Sequence, residues 1–249
     1  MTRKIYKIEG LVVDKRERGE KDIIFTILTA DEGKIDVLAK YAKKVPSRHN
    51  SGLELFNGVQ CQLYQGRILP LVTQSKQIFG FPALLQSYEK IHAGFIILQY
   101  IKYFTAARQH IHQLYALICK ILQEINTTEI PSLGLLTLVF EIKFLRMLGV
   151  FHTTSACEYC NKPFQTTTYL SRGHYSCHSC TQEQKLAFSS SSNNSLILMS
   201  DHALEDILQK HIPQSHISSI EKVLSHFLFL SFPDQRTIER YSKFSPESK

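Results

Sequence analysis

The sequence predicts an α+β fold, with a small β-barrel in the first 80 residues and a mostly α-helical part after them. Two observations predict this division: apolar residues recur with a period of two up to Gly80-Phe81-Pro82, and with a period near 3.6 beyond it. A third observation is the presence of two cysteine pairs in the second half of the chain. Their spacing predicts a small metal-binding insert between helical segments.

Five short strands are predicted in the N-terminal region. The clearest covers 59–65, where apolar residues at 59, 61 and 63 alternate with polar ones; the others cover 5–13, 23–28, 33–38 and 68–74. Pro70 makes the last one the weakest, because proline belongs on strand edges or bulges. Five short strands in about 80 residues suggest a small closed barrel, and the oligonucleotide/oligosaccharide-binding barrel (OB-fold) is the commonest basic one. The segment 40–52 carries four basic residues without an apolar period, so we expect an exposed loop.

Helices are predicted over 83–104, over 111–125, and from Pro131 to Leu148. The third helix has Ser132 as its N-cap and Gly149 at its C-terminal end, and it is apolar on most faces, which is typical of the central helix of a bundle. The polar run Ser189–Asn194 is typical of a flexible linker, and two amphipathic helices follow over 201–211 and 217–231. The predicted organisation is therefore a barrel domain at 1–80, a helical domain at 81–156 and 186–241 interrupted by a metal-binding insert at 157–185, and a polar tail at 242–249.

The composition is that of an ordinary globular protein. Of the 249 residues, 43% are hydrophobic and 20% are charged, which excludes a disordered, collagen-like or coiled-coil chain. Six cysteines are too few for a disulfide-built secreted scaffold, and the first residues lack the apolar segment of a signal peptide. The longest apolar stretch, Leu133 to Phe140, is far shorter than the roughly 20 residues of a membrane span. We therefore expect a cytoplasmic protein, in a reducing compartment, with no membrane contact.

The cysteine pairs have the pattern C-x2-C-x16-C-x2-C and consist of Cys157, Cys160, Cys177 and Cys180. This spacing predicts one four-thiolate zinc site per chain, because each C-x2-C turn directs two sulfurs at one ion and the intervening segment returns the second pair. Four thiolates fill the coordination shell, so we expect a structural and not a catalytic zinc. A redox dithiol pair, an iron centre of the same geometry and free cysteines are the alternatives. Cys61 and Cys119 are predicted to be buried small hydrophobes.

The charge is the first functional indication. The formal net charge is +7, and the first 80 residues contribute +5 of it. Such an excess favours polyanionic partners such as nucleic acid, although a merely basic surface is the alternative. The sequence contains no phosphate-binding loop, no H-E-x-x-H, no G-x-S-x-G and no G-x-G-x-x-G motif. Nothing in it therefore demands an enzyme.

Four local strings resemble the bacterial recombination mediator RecO family. The segment 13–22 ends in the pattern Gly-Glu-x-Asp after basic residues, 29–34 and 39–44 resemble the family's next turn, strand and basic loop, and 140–149 is similar to the helix before its zinc site. The resemblance extends over about residues 1–232, and the order and spacing of the strings carry it. Tyr41 departs from the pattern, because the family usually has glycine there.

The resemblance implies a DNA-binding protein that anneals complementary strands without covalent chemistry. It further implies partners: single- and double-stranded DNA, RecR, the C-terminal tail of single-stranded DNA-binding protein, which would dock on the helical domain, and indirectly RecA, which the protein would help to load. Such a protein is cytoplasmic and associated with the nucleoid. The cations expected to neutralise phosphates on or beside the barrel are Lys15, Arg16, Arg18, Lys40, Lys43, Lys44, Arg48 and Arg67.

Two other functions fit parts of the pattern. An RNA-binding or transcription/translation factor with an OB-like barrel and a zinc ribbon has the same composition, and a zinc-dependent nucleic-acid enzyme is a third possibility. Tyr64, outward on its strand, is a candidate for stacking on a base, with a plain surface tyrosine as the alternative.

Overall fold

The computed structural model describes residues 5–43, 52–109, 113–181 and 186–231. The chain divides into two compact units, residues 1–136 and 137–249. The N-terminal unit contains β1 (Ile5–Arg18), β2 (Asp22–Thr29), β3 (Gly33–Ala39), β4 (Gly58–Tyr64), β5 (Leu71–Phe79), α1 (Tyr88–Phe104) and α2 (Leu114–Thr127). The boundary between the two units falls within helix α3 (Leu133–Met147). The C-terminal unit contains β6 (Thr167–Ser171), β7 (His174–Ser176), β8 (Leu186–Ser189), α4 (Ser190–Asp201), α5 (Leu204–Leu208) and α6 (Gln214–Ser231).

The first five strands form one closed sheet. They are hydrogen-bonded in the order β1-β2-β3-β5-β4, and β4 pairs with β1, which closes the barrel. Every pairing is antiparallel except that of β3 with β5, where Leu38 lies opposite Leu71. The interior is filled by alternate side chains of the strands, among them the fully buried Val12, Ile27, Val37, Val59, Cys61 and Leu63. The predicted α+β fold, with a β-barrel followed by helices, is confirmed.

Two strands extend several residues beyond their predicted bounds. Strand β1 continues to Arg18, because its charged end pairs with β2 after a bulge between Val12 and Asp14. Strand β5 covers Leu71–Phe79 instead of 68–74. Its second half is polar and mostly exposed, with only Ser75 buried between Gln74 and Ile78, so it lacks the alternation that reveals a strand. The predicted bounds of β5 were wrong for this reason.

Helix α1 is attached to the barrel at its C-terminal end. The ammonium of Lys34, on β3, donates to the carbonyl oxygens of Ile101 at 2.8 Å and Lys102 at 3.0 Å. Carbonyls in the last turn of a helix have no partner within the helix, so a cation stabilises them. Lys102 in turn forms an ion pair with Asp14 of β1 at 3.2 Å. The helix therefore lies against the outer surface of β1 and β3.

Helix α3 ends where the sequence predicts. Gly149 has a φ of +72°, its N–H donates to the carbonyl of Arg146 at 2.9 Å, and the N–H of Val150 donates to that of Leu145 at 3.2 Å. These two bonds define a Schellman motif, which requires the left-handed conformation that glycine adopts without strain. The helix is buried on most faces, as its composition indicates.

The polar run at 189–194 is not a linker, and this prediction was wrong. Ser189 ends β8 and caps α4, because its hydroxyl accepts a hydrogen bond from the N–H of Ser192 at 3.0 Å. Asn193 is 1% exposed, and its side-chain amide donates to the carbonyl of Thr154 at 2.8 Å. The buried amide of Asn193 is tolerated because a backbone carbonyl accepts its hydrogen bond, and composition does not reveal such a partner.

The C-terminal unit is built around a three-stranded sheet in the order β7-β6-β8. The hairpin of β6 and β7 turns at Arg172 and Gly173, which both have positive φ, as a type I′ turn requires. Tyr175 of β7 is buried against the rings of Phe188 and Phe227. Among the residues that the structure describes, none of the helices has both the length and the apolar character to cross a membrane.

Candidate metal centre and nucleic-acid interface

The four cysteines of the two C-x2-C motifs lie together. Their sulfur atoms are all within 4.8 Å of one another, and the sulfurs of Cys160 and Cys177 are 3.8 Å apart. Four sulfurs placed about 2.3 Å from a central zinc in a tetrahedron are about 3.8 Å from each other. The cluster therefore has the size and the donor set of a four-thiolate metal site.

Backbone turns aim these sulfurs. In the first turn the N–H of Cys157 donates to the carbonyl of Lys162 at 2.9 Å, and the N–H of Asn161 donates back to the carbonyl of Cys157 at 2.8 Å. Asn161 has a φ of +58°, which asparagine tolerates better than most residues. The second turn is closed by the N–H of Cys180, which donates to the carbonyl of Cys177 at 3.2 Å.

The electrostatics of the cluster favour a cation. Burial disfavours the thiolate of Cys157, but the backbone N–H groups of Cys177, Cys160 and Tyr159 lower its pKa to about 6. The neighbouring sulfurs of Cys160 and Cys177 instead raise the pKa of Cys180 to about 12. One thiolate thus forms readily, whereas further negative charge needs a bound cation to offset it. Because four sulfurs would fill every position around such an ion, the arrangement could hold a metal and would leave no site for a reacting water.

Glu158 connects the two turns of the metal site. Its carboxylate accepts from the N–H of Tyr175 at 3.1 Å and contacts the rings of His152 and His174. Burial raises the pKa of Glu158, but the hydrogen bonds from His152, His174 and Tyr175 outweigh it and hold that pKa below its usual value. The carboxylate is therefore an ionised acceptor that joins the segment after Cys157 to the strand before Cys177.

Three of the predicted DNA-binding cations are engaged by carboxylates. The pairs are Lys15 with Glu54, Arg16 with Asp36, and Lys43 with Glu17. In each pair at least one side chain is exposed, and such ion pairs contribute little stability, so a phosphate can compete for the cation. The hydroxyl of Thr26 also donates to Asp36 at 2.6 Å, which fixes the carboxylate that Arg16 contacts.

Three other predicted cations are exposed at the loops of the barrel. Arg18 precedes the β1–β2 loop, Lys40 follows β3, and Arg67 lies in the β4–β5 loop. Within residues 5–43, 52–109, 113–181 and 186–231, none of the three forms an ion pair. Lys44 and Arg48, also predicted to contact DNA, lie outside the described residues. DNA contact by all eight cations stays a prediction.

The β1–β2 hairpin holds the beginning of the β3–β4 loop. Asp22, the last residue of the Gly-Glu-x-Asp string, accepts from the N–H of Tyr41 at 2.9 Å, and the N–H of Lys43 donates to the carbonyl of Lys21 at 3.1 Å. Tyr41 has a φ of +57°, which explains why glycine is the usual residue in the pattern that the sequence resembles.

Base stacking by Tyr64 stays a prediction, and another tyrosine of the barrel loops is more exposed. Tyr64 is half-buried at the end of β4, whereas the side chain of Tyr41 is 61% exposed. The sequence offered one indication of this exposed ring, because Tyr41 stands where the family pattern has glycine.

Comparisons with known proteins identify the family. The family profile described as Recombination protein O N terminal matches residues 1–81, and the one described as Recombination protein O C terminal matches residues 85–231. The chain belongs to the RecO family. DNA repair protein RecO of Listeria welshimeri is 28% identical over 180 residues, which cover 72% of this chain and 70% of that protein. DNA repair protein RecO of Dehalococcoides mccartyi is 29% identical over 182 residues, covering 72% and 71%.

RecO membership confirms the resemblance read from the sequence strings. It assigns the chain to a DNA repair and recombination family, and the N-terminal barrel corresponds to the RecO N-terminal domain. The metal-site cysteines at 157–180 fall inside the segment that matches the RecO C-terminal profile.

Proposed function

We propose that this RecO-family chain is a recombination mediator and not an enzyme. It binds single- and double-stranded DNA, anneals complementary single strands, and helps to load RecA onto strands coated by single-stranded DNA-binding protein, together with RecR. The match of both RecO profiles over residues 1–81 and 85–231 carries this proposal. The exposed cations of the barrel supply a physical basis for it.

The barrel loops are the proposed DNA contact. In OB-folds the β1–β2 and β4–β5 loops bind oligonucleotides, and these loops here carry Arg18 and Arg67 at their ends or tips. Lysine and arginine neutralise phosphates without reading sequence, so binding is sequence-tolerant and weakened by salt. Annealing then needs only that two strands are held with their charges screened while bases pair.

The four-cysteine cluster is proposed to hold one structural zinc ion per chain. Cys157, Cys160, Cys177 and Cys180 would be its ligands, and the sulfur separations match the size of a zinc tetrahedron. The ion stabilises the fold of the insert around it. Metal analysis of the purified protein distinguishes zinc from iron, and absence of both with freely titratable thiols would contradict the proposal.

The helical domain, 81–156 with 186–232, is the proposed dock for the C-terminal tail of single-stranded DNA-binding protein. That tail is acidic and apolar, so it fits a groove between helices with a cation at the rim. Calorimetry with a tail peptide at low salt tests this, and no binding would contradict it. We also propose that the protein works in the cytoplasm, on the nucleoid.

The DNA contact is tested with a triple variant, R18A/K40A/R67A. We expect the slope of log K against log salt for a single strand to shrink by about 2, at roughly 0.7 per lost phosphate contact. Annealing of complementary oligonucleotides coated with single-stranded DNA-binding protein should slow in parallel. The matched control is K162A/K210A/K222A, which removes three exposed cations from the C-terminal unit. If the salt slope and the annealing rate fall as much in the control as in the triple variant, only net charge matters and the barrel is not the interface. An RNA strand of the same sequence as competitor tests the RNA-binding alternative.

A further inference from the structure

Tyr41 has an unusual backbone and an unusual surface position at once. Its φ is +57°, in the left-handed region that disfavours every residue with a Cβ, and its side chain is 61% exposed. Within the described part of the chain its ring contacts no other aromatic ring. A large side chain therefore occupies a strained position without contributing to the barrel core.

Specific contacts keep the residue in this conformation. The N–H of Tyr41 donates to the carboxylate of Asp22 at 2.9 Å. Two residues later, the N–H of Lys43 donates to the carbonyl of Lys21 at 3.1 Å. Two hydrogen bonds to the β1–β2 hairpin thus hold the backbone on either side of the exposed ring. Strain that the surroundings maintain in this way is typical of functional positions.

Three cations lie on the two segments that these hydrogen bonds join. Lys40 is its neighbour in sequence, Lys21 lies across the hydrogen bond to Lys43, and Arg18 is paired with Asp22 in the hairpin register. All three are exposed and form no ion pair among the residues that the structure describes. The carboxylates of the same hairpin are Glu17, which pairs with Lys43, Asp22, which accepts from Tyr41, and Glu20, so with Lys43 included the cations outnumber the carboxylates by four to three. An exposed aromatic ring among unpaired cations is the pattern of proteins that bind single strands, where bases stack on rings and cations follow the phosphates.

We propose that Tyr41 stacks on an unpaired base of a single strand bound along the barrel loops. This inference rests on the proposed DNA-binding function and adds a preference to it. The bases of a duplex are already stacked on each other, so the ring contributes only to single-strand binding. The barrel thereby distinguishes an unpaired strand from the annealed product and releases the latter more readily.

Two substitutions test the proposal, Tyr41→Gly and Tyr41→Phe. Glycine removes the ring and also relieves the backbone, because a φ of +57° suits it, so the fold is retained; a thermal melt checks this. Phenylalanine keeps the stacking surface. Binding of each variant to a thymine oligonucleotide and to a duplex is measured over a range of salt concentrations. A second oligonucleotide with abasic sites in place of bases reports directly on stacking.

We expect Tyr41→Gly to weaken single-strand binding by about 5- to 150-fold, the range for loss of one stacked base, with an unchanged salt slope and unchanged duplex binding. Tyr41→Phe should bind like the wild type, and abasic sites should weaken the wild type but not Tyr41→Gly. The proposal is overturned if Tyr41→Gly binds single strands like the wild type, or loses single-strand and duplex binding equally. If the wild type binds neither strand form, the proposed function itself fails, which is a different result.

Discussion

Glu158 and Tyr175 exchange two hydrogen bonds across the metal site. The N–H of Glu158 donates to the carbonyl of Tyr175 at 3.0 Å, and the carboxylate of Glu158 accepts from the N–H of Tyr175 at 3.1 Å. One residue directly follows the ligand Cys157 and the other lies two positions before Cys177. The pair therefore holds the two cysteine turns in register through contacts that do not involve the metal.

Replacement of Glu158 by glutamine should destabilise the C-terminal unit. Glutamine retains an acceptor for Tyr175, but it loses the charge that strengthens this bond and the contacts with His152 and His174. Hydrogen bonds to charged groups contribute about 1.5–3 kcal/mol, so we expect a loss of that order in the free energy of unfolding. Urea unfolding of the metal-loaded protein measures it. An unchanged midpoint would mean that the metal alone fixes the two turns.

Replacement of Cys177 by serine should remove the metal and unfold the insert. Loss of a structural metal is among the changes that cost about 4 kcal/mol or more, which lowers Tm by roughly 8–16 °C for a chain of this size. Cys119→Ser is the control, because Cys119 lies on α2 outside the cluster. DNA binding at low temperature should change much less than Tm. Full metal content in Cys177→Ser would contradict the assigned ligand set.

Replacement of Glu54 by glutamine should strengthen single-strand binding at low salt. Glu54 contacts the ammonium of Lys15 at 3.0 Å, and its loss leaves that cation available to a phosphate. One added contact makes the slope of log K against log salt steeper by about 0.7, while stability changes by less than about 1 kcal/mol. The control Glu129→Gln removes an exposed carboxylate that forms no ion pair in the described part of the chain. An equal gain in single-strand affinity in both variants would show that Lys15 itself does not reach DNA.

Replacement of Ser189 by alanine should weaken helix α4. The hydroxyl of Ser189 accepts from the N–H of Ser192 at 3.0 Å, and loss of such a cap costs about 1 kcal/mol. Asn194→Ala, on the exposed side of the same helix, should be neutral or slightly stabilising, because alanine has the higher helix propensity. If both variants unfold at the same denaturant concentration, the cap makes no net contribution to stability.

The features that the sequence predicts correctly are those with a local physical signature. Alternation at Val59, Cys61 and Leu63 reveals a strand with one buried face, and Gly149 marks a helix end because only glycine adopts a φ of +72° at no cost. The cysteine spacing is equally local, since two short turns and one hairpin suffice to bring four sulfurs together.

The features that the sequence does not reveal depend on contacts between distant residues. Ser189 and Asn193 resemble linker residues until Thr154, 39 positions before Asn193, supplies a partner for the buried amide. Lys15 and Glu54 are likewise 39 residues apart, so no local pattern indicates that this cation is paired. The polar second half of β5 is a strand only because β4 lies beside it.

The contiguity of the barrel strands affects how the protein folds during synthesis. All five strands lie within residues 5–79, so the barrel closes without any segment of the C-terminal unit. Ribosomes add about 5–20 residues per second, so synthesis of the 78 residues from the end of β5 at Phe79 to Cys157 takes roughly 4–16 s, whereas all-β barrels of this size fold within about milliseconds to seconds. The barrel therefore folds on the nascent chain before the four cysteines have left the ribosome, and a cell short of metal still produces a folded N-terminal unit.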